Sequence, residues 1–420
     1  MKKSILFYID QKHRDLQSLS LIGYFLKSFG YKVGYQKLWS WETANYFDVI
    51  IVPKPIFKDI EKWTKNKIVI IIESEGANQD VNFKRKINYY PHLYFFWSKT
   101  ECDKYKRELS NKNVKYSVKG SPRLDFFQPP FIKNKNTDHP NKQKTITIAT
   151  STQEAHIDKE NINKVLDRRK TQFDASADYL KMIEISKLLL KKTTELVKHI
   201  LLNYPNLKVI LKPHPNESVI FWKRFLADLD NENFQLLMGK NIDELLKLSD
   251  LHIAHNACTT IFEANLLNIS TVEMITEDSH KIVHEDHRDI ANYKINDNND
   301  FDRAFKAIKN NSNNNFSDKF QKYLKKYYYK FDGKRCFSYA REIDSFIINN
   351  SKLMNRSVFN SLTKYFYFYL FSIKDLFFKN KTNKIDHKGR YDNRISKKSY
   401  LEWYKIFDQL NIINNIRRKL

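Results

Sequence analysis

Three short stretches carry side chains whose type and spacing suit the holding of a phosphate and the removal of a proton. The first is Lys212-Pro213-His214-Pro215. Its prolines stiffen the backbone and hold His214 out, with a lysine charge two residues away, where a phosphate is to be bound. The second is Thr259-Thr260, two hydroxyls just ahead of the run I-F-E-A-N-L-L. Hydroxyls at a strand-to-helix turn, beside the helix's unpaired N–H groups, make an anion site. The third is Glu73-Ser74-Glu75-Gly76, carboxylates able to take a proton from an attacking hydroxyl, next to a glycine that admits close approach. Each has an ordinary structural explanation as well: an acidic strand end caps a turn, a lone histidine is structural, and Thr-Thr caps a helix. Their shared position at strand ends is what joins them.

Those positions follow from apolar runs. Val209 to Leu211 and Leu251 to Ala254 are too short for helices and suit buried parallel strands, as does Ile68 to Ile72. In open α/β sheets, ligands bind at strand tips of this kind. Further strands are expected at Ser4 to Ile9, Lys32 to Tyr35, Phe47 to Val52 and Tyr94 to Trp97, with a helix from Ser18 to Phe29 ending near Gly30. Strand and helix in alternation imply a parallel sheet covered by helices. Residues 128–144 are rich in Pro and Asn, polar and aperiodic, and read as a linker. Thr145 to Ala149 opens a second α/β unit, followed by a helix from about Tyr179 to Leu202, a strand at Val272 to Ile275 and a helical stretch over 301–329. The expected fold is α/β: a first Rossmann-like domain over 1–130, a linker over 131–144, a second Rossmann-like domain over 145–345, and a basic, aromatic helical tail over 346–420.

Composition narrows the function. The 420 residues include only 8 glycines, with no glycine-rich nucleotide loop. Three scattered cysteines (Cys102, Cys258, Cys336) fit a reducing compartment and exclude a disulfide scaffold or a cysteine zinc site. The opening M-K-K-S-I-L-F-Y-I-D reads as a first strand rather than a signal peptide, and no apolar run is long enough to span a bilayer. The net charge of +25 calls for a partner or an explanation. Much of it lies in the last 70 residues, with 16 basic and 5 acidic side chains around the aromatic run Y-F-Y-F-Y-L-F-S-I-K-D-L-F-F (365–378). Basic residues flanking an aromatic segment suit a helix lying on an anionic membrane face; aromatics packed on the protein's own surface are the plainer alternative. No nucleic-acid module is present.

Other residues border the expected cleft. Ser151, in Thr150-Ser151-Thr152-Gln153, follows the second unit's first strand; Arg123 precedes the linker and suits either an anionic sugar or a neighbouring acid. His280, His284 and His287 fall in a loop beside the second site, and His284 is placed among the cleft residues without a metal role. No acidic metal motif stands at a strand end, so neither metal nor cofactor is expected.

The order acid-x-Gly, H-P and hydroxyl pair resembles that of bacterial sialyltransferases of GT-B architecture and of related Kdo transferases. G-S-P-R-L-D (Gly120 to Asp125), E-S-E-G and K-P-H-P also resemble bacterial surface-carbohydrate biosynthesis proteins, over most of residues 1–290. The resemblance implies Glu75 as catalytic base, and His214 as phosphate ligand and leaving-group acid. It also implies Thr259 and Thr260 as the hydroxyl pair on the phosphate and Glu244 on the ribose; Lys212, Pro215 and Asn256 are expected to complete the nucleotide site with His214, and Gly76 stands among the cleft residues. Thr-Thr stands where a serine-containing pair is commoner, and Ser74 where a second acid is often found.

The reading that follows is a metal-independent glycosyltransferase. It moves an acidic sugar (Kdo, sialic acid or a relative) from CMP to a surface glycan or lipid-linked acceptor, at the inner face of the membrane. The alternatives are a UDP-sugar 2-epimerase, a CDP-glycerol or CDP-ribitol transferase, and a non-catalytic scaffold for polysaccharide assembly.

Overall fold

The computed structural model describes residues 3–37, 44, 46–53, 66–74, 91–109, 113–132, 143–157, 162–163, 176–255, 258–279, 290–310, 318–353, 395 and 397–417. They contain two six-stranded sheets in which every pairing is parallel. The first has β1 (Ser4–Ile9), β2 (Lys32–Lys37), β3 (Val49–Val52), β4 (Ile68–Ile72), β5 (Leu93–Phe96) and β6 (Lys115–Val118), in the order β2-β1-β3-β4-β5-β6. The second has β7 (Thr145–Ala149), β8 (Lys208–Lys212), β9 (Phe234–Leu236), β10 (Leu251–His255), β11 (Ser270–Met274) and β12 (Tyr293–Ile295), in the order β12-β11-β10-β7-β8-β9. Each order reverses once, beside β1 in the first sheet and between β7 and β10 in the second. Loops leaving a reversal part in opposite directions and open a crevice at the strands' carboxyl ends.

The first sheet is buried on both faces, and its residues sort by alternation. Ile5, Phe7, Ile9, Val49, Ile51, Ile68, Ile70, Leu93 and Phe95 enter one core, while Leu6, Tyr8, Ile50, Val52, Val69, Ile71, Tyr94 and Phe96 enter another. Near-continuous apolar runs form strands here because both faces find protein. The helix after β1 spans Lys12–Ser28 and so starts six residues before the expected Ser18. Asp15 fixes that start by accepting from the Gln11 amide at 3.0 Å and pairing with Arg14.

Two expected boundaries change. The helix Arg335–Asn349, expected mostly in the second domain, packs on the first sheet. Cys336, Tyr339, Ala340, Ile343, Phe346 and Ile347 recur at helical spacing and fill that core. Asp125 accepts from the Arg335 and Cys336 amides at 2.9 and 2.7 Å and anchors the helix start. The tail is not all separate either. Its helix Lys397–Gln409 and the helix Ile412–Arg417 close the same core through Tyr404, Phe407 and Ile412. The Tyr404 and Tyr35 hydroxyls meet at 2.9 Å, and a Cβ on Gly23 would lie 1.8 Å from the Tyr35 oxygen. This part of the tail is aromatic because it faces protein. The run 365–378 lies outside the described residues, and among the described helices none is long and apolar enough to cross a membrane.

A further core joins the two halves. Trp97, Leu124 and Phe127 of the first pack with Ala254, Ile261 and Phe262 of the second, and with Tyr327 and Tyr328 of the helix Asp318–Tyr328. Phe262 stacks on Tyr328 with centroids 4.1 Å apart.

Phe407 is fully buried among Tyr24, Phe126, Phe131 and Trp403. Phe407→Ala is expected to remove about 3–5 kcal/mol of stability, read as a lower urea midpoint. A midpoint equal to wild type would mean that the last helices are not part of the core.

Candidate functional site

The chain turns after β8 at Pro215 and Asn216, where the Glu217 amide donates to the His214 carbonyl at 2.9 Å, and this loop is tied down from behind. The His214 amide donates to Thr150 Oγ1 at 3.3 Å, and that hydroxyl donates to Glu217 Oε2 at 2.6 Å. Glu217 also accepts from the Thr152 amide at 2.5 Å and from Trp222 Nε1 at 2.8 Å. Burial pushes its carboxyl above the usual range, and these donors pull the other way. On the ring of His214, Nδ1 accepts from the Asn216 amide at 3.2 Å. A neutral ring accepting at Nδ1 carries its proton on Nε2, so its far edge is an N–H donor.

This loop lines a narrow cleft with Lys212, Val219, Met238, Gly239 and Lys240. His13, from the first half's Lys12–Ser28 helix, lines it too. The two halves thus contribute to one space at the carboxyl ends of β1 and β8. Beside His13, Arg14 pairs with Asp10 and Asp15 and donates to Ser74 Oγ at 3.4 Å, which draws the tip of β4 to the same edge. Gln17 reaches across to Asp243 at 3.4 Å. Lys212 has its amine held below the usual lysine range by burial, with Glu263 and Glu217 acting against that shift.

The Thr259–Leu266 helix starts at the expected hydroxyl pair, but the pair is split. Thr260 Oγ1 lies 2.9 Å from His252 Nε2 and donates to Cys258 Sγ at 3.4 Å, so this hydroxyl is engaged within the fold. Thr259 is half-buried and lines a separate small pocket with Glu273 and Tyr323. Beneath them Glu263 is buried and bonded to Arg123 at 2.5 Å. Arg123, expected to meet an anionic sugar or a neighbouring acid, meets an acid from the other half. Glu263 Oε2 has no hydrogen-bond partner among the described residues. Burial pushes this carboxyl up, and Arg123 and Lys212 pull it down.

Other expected residues fall elsewhere. Glu244 accepts from the Asn241 amide at 3.2 Å and pairs with Lys240 at 3.1 Å, so it caps the short helix Ile242–Leu246. Pro215 lines the cleft, and the Ser151 amide donates to His255 Nδ1 at 3.2 Å. Glu75, Gly76, Asn256 and His284 lie outside the described residues. Their neighbour Glu73 is buried and accepts from the Tyr94 hydroxyl at 2.9 Å. Among the described residues no group of three His, Cys, Asp or Glu side chains is placed to hold a metal ion. The sequence reading passed over His13, Glu217 and Glu263. His13 had a signal in the charged run D-Q-K-H-R-D directly after β1.

No family model and no curated protein matches the sequence. Solved structures match in fold. A protein named as a UDP-N-acetylglucosamine 2-epimerase from Listeria monocytogenes is 11% identical, with a TM-score of 0.50, over 85% of this chain and 100% of that one. The wall teichoic acid polymerase TagF, in a structure with CDPG, is 11% identical with a TM-score of 0.53, over 82% of this chain and 89% of that one. The fold is the two-domain GT-B arrangement.

His255 joins the tip of β10 to the β7 turn through Ser151 and, at 2.7 Å, to Thr193 of the helix Ser176–Asn203. Burial pushes its imidazole down to about 4, and that of His252 to about 3, from an ordinary 6.5. The unfolded chain therefore takes the proton first as pH falls. The stability His255 contributes is whole above about pH 6.5 and is lost toward pH 4, on the order of 3 kcal/mol. His255→Gln is expected to flatten the fall in melting temperature between pH 7 and pH 5; a slope as steep as wild type would contradict the assignment.

Proposed function

We propose that this protein is a glycosyltransferase that takes a sugar from a nucleotide donor and passes it to a surface glycan or glycolipid. The supporting observation is the meeting of His13 from one half with Lys212 and His214 from the other, in one cleft at the strand tips. When the bond between sugar and donor phosphate breaks, its electrons remain on the phosphate oxygen. The Lys212 side chain and the N–H on His214 Nε2 face that growing charge and lower the barrier. The acceptor hydroxyl attacks the sugar carbon and gives its proton to a base on the first half, for which His13 and Glu75 are the candidates. The resemblance to sialyl- and Kdo transferases makes CMP the nucleotide and an acidic sugar the cargo, with no metal ion or cofactor in the reaction. The run 365–378 is aromatic and is flanked by basic residues in the sequence. In this reading it rests on the anionic inner face of the membrane, next to the acceptor's lipid.

A UDP-sugar 2-epimerase is the second reading, favoured by the likeness in fold to the Listeria protein. It needs no acceptor and no membrane.

Thermal-shift titration with CMP, CDP and UDP separates the two, because binding stabilises the fold by mass action. Stabilisation by CMP supports the transferase, preference for UDP supports the epimerase, and silence from all three removes both. His214→Ala is expected to weaken the bound nucleotide about tenfold or more, roughly 1.4 kcal/mol. His13→Gln is expected to spare nucleotide binding and slow turnover by roughly a hundredfold. A His13→Gln enzyme working at the wild-type rate would leave Glu75 as the base.

A further inference from the structure

Another cavity, of about 420 Å³, opens on the first half at the edge opposite the cleft. His92, Asn113 and Lys115 border it at the amino ends of β5 and β6, whereas the cleft lies at the strands' carboxyl ends. Its other wall is the end of the helix Arg335–Asn349 and the 3-10 turn Ser351–Leu353 that follows. The volume falls within the range of ligand pockets, roughly 300–1,000 Å³. The strand side of the cavity is fixed by its backbone: the His92 amide donates to the Val69 carbonyl at 2.9 Å, and the Lys115 amide donates to the His92 carbonyl at 3.0 Å. The His92 ring is fixed as well, because its Nδ1 accepts from the Val69 amide at 3.0 Å. The proton of the neutral ring is therefore on Nε2, and burial keeps the imidazole toward that neutral form. This Nε2 has no hydrogen-bond partner among the described residues and is not sealed from solvent.

The helix side adds carboxamides. Asn349 is exposed, and its side chain makes no hydrogen bond among the described residues. Asn350 Nδ2 donates to the Phe346 carbonyl at 2.9 Å, which leaves its Oδ1 open. Lys115, the cation among the described lining residues, pairs with Glu342 at 3.0 Å and is not free to meet an anion. Val114, Phe346 and Leu353 supply apolar wall. We propose that this cavity is a glycan-binding site, separate from the cleft, that takes neutral sugar units of an oligosaccharide. Carboxamides and a neutral imidazole give and accept hydrogen bonds as sugar hydroxyls do, while the apolar wall covers the C–H faces of the rings. A phosphate or carboxylate would call for an unpaired cation. Binding here does not rest on the transferase reading. In an enzyme that extends a glycan, such a site holds chain already made while the cleft adds to its end.

Asn349→Ala and His92→Phe each remove polar atoms from the lining. Asn349 is exposed and unbonded, so its replacement is expected to leave the melting temperature as in wild type and keeps the test open if His92→Phe fails to fold. Calorimetric titration uses maltotetraose, N-acetylchitotetraose and tetrasialic acid, with no nucleotide present. Wild type is expected to bind one of the two neutral tetrasaccharides with a Kd of about 1 mM or below, and tetrasialic acid more weakly. Each variant is expected to bind that tetrasaccharide about five- to tenfold more weakly, the effect of one lost hydrogen bond. Unchanged affinity in Asn349→Ala would put the sugar elsewhere and overturn the site, as would a preference for tetrasialic acid or no binding of any of the three. Co-sedimentation with phosphatidylglycerol vesicles that Asn349→Ala abolishes would assign the cavity to a lipid headgroup instead. His214→Ala is expected to bind the tetrasaccharide as wild type does. Because no nucleotide is used, a failure of the nucleotide-sugar reading leaves this result standing.

Discussion

A carboxylate kept from water organises the second half's side of the cleft. Glu217 accepts from two residues of the β7 turn and from an indole N–H, and without such donors a buried acid is not tolerated. Because the Thr150 hydroxyl donates to Glu217 and accepts from the His214 amide, one side chain sets the spacing between two strand tips. The prolines beside His214 limit how the loop bends, and Glu217 decides where it points. The placement of His214 in the cleft thus depends on a residue that does not itself face a substrate in the proposed mechanism.

Across the cleft, the halves are held by both apolar and charged contacts. Trp97, Leu124 and Phe127 share a core with the second half, and Arg123 reaches the buried Glu263. A cation brought to a buried acid from the opposite half is weak evidence for stability, since both charges lose water, but it is strict about geometry. Glu263 belongs to the Thr259–Leu266 helix, so this contact fixes that helix against the first half.

The sequence showed what is local. The limits of β1, β4 and β7 coincide with apolar runs read at the outset, because a strand buried on both faces announces itself by composition alone. The H-P corner was legible for a similar reason, since proline acts on its own backbone. What was missed depends on partners far along the chain. Glu263 meets a residue 140 positions away, and nothing near it in sequence separates it from Glu244. The N-x-x-E spacing of Asn241 and Glu244 did carry a capping signal. Thr260 illustrates another limit: a pair of hydroxyls does not say which one turns inward, and His252 decided it. The aromatic tail misled because a stripe of Tyr and Phe looks the same whether lipid or protein covers it. For Tyr404 and Phe407 the cover is protein.

That cover bears on how the chain is made. Synthesis runs from β1 onward, yet the core around β1 is closed by Phe346 and, later still, by Phe407 and Ile412. The second sheet has all its strands by Ile295, well before those residues leave the ribosome. The half begun first is therefore finished last, and until then its Leu16, Ile22 and Phe25 face stands open to whatever it meets.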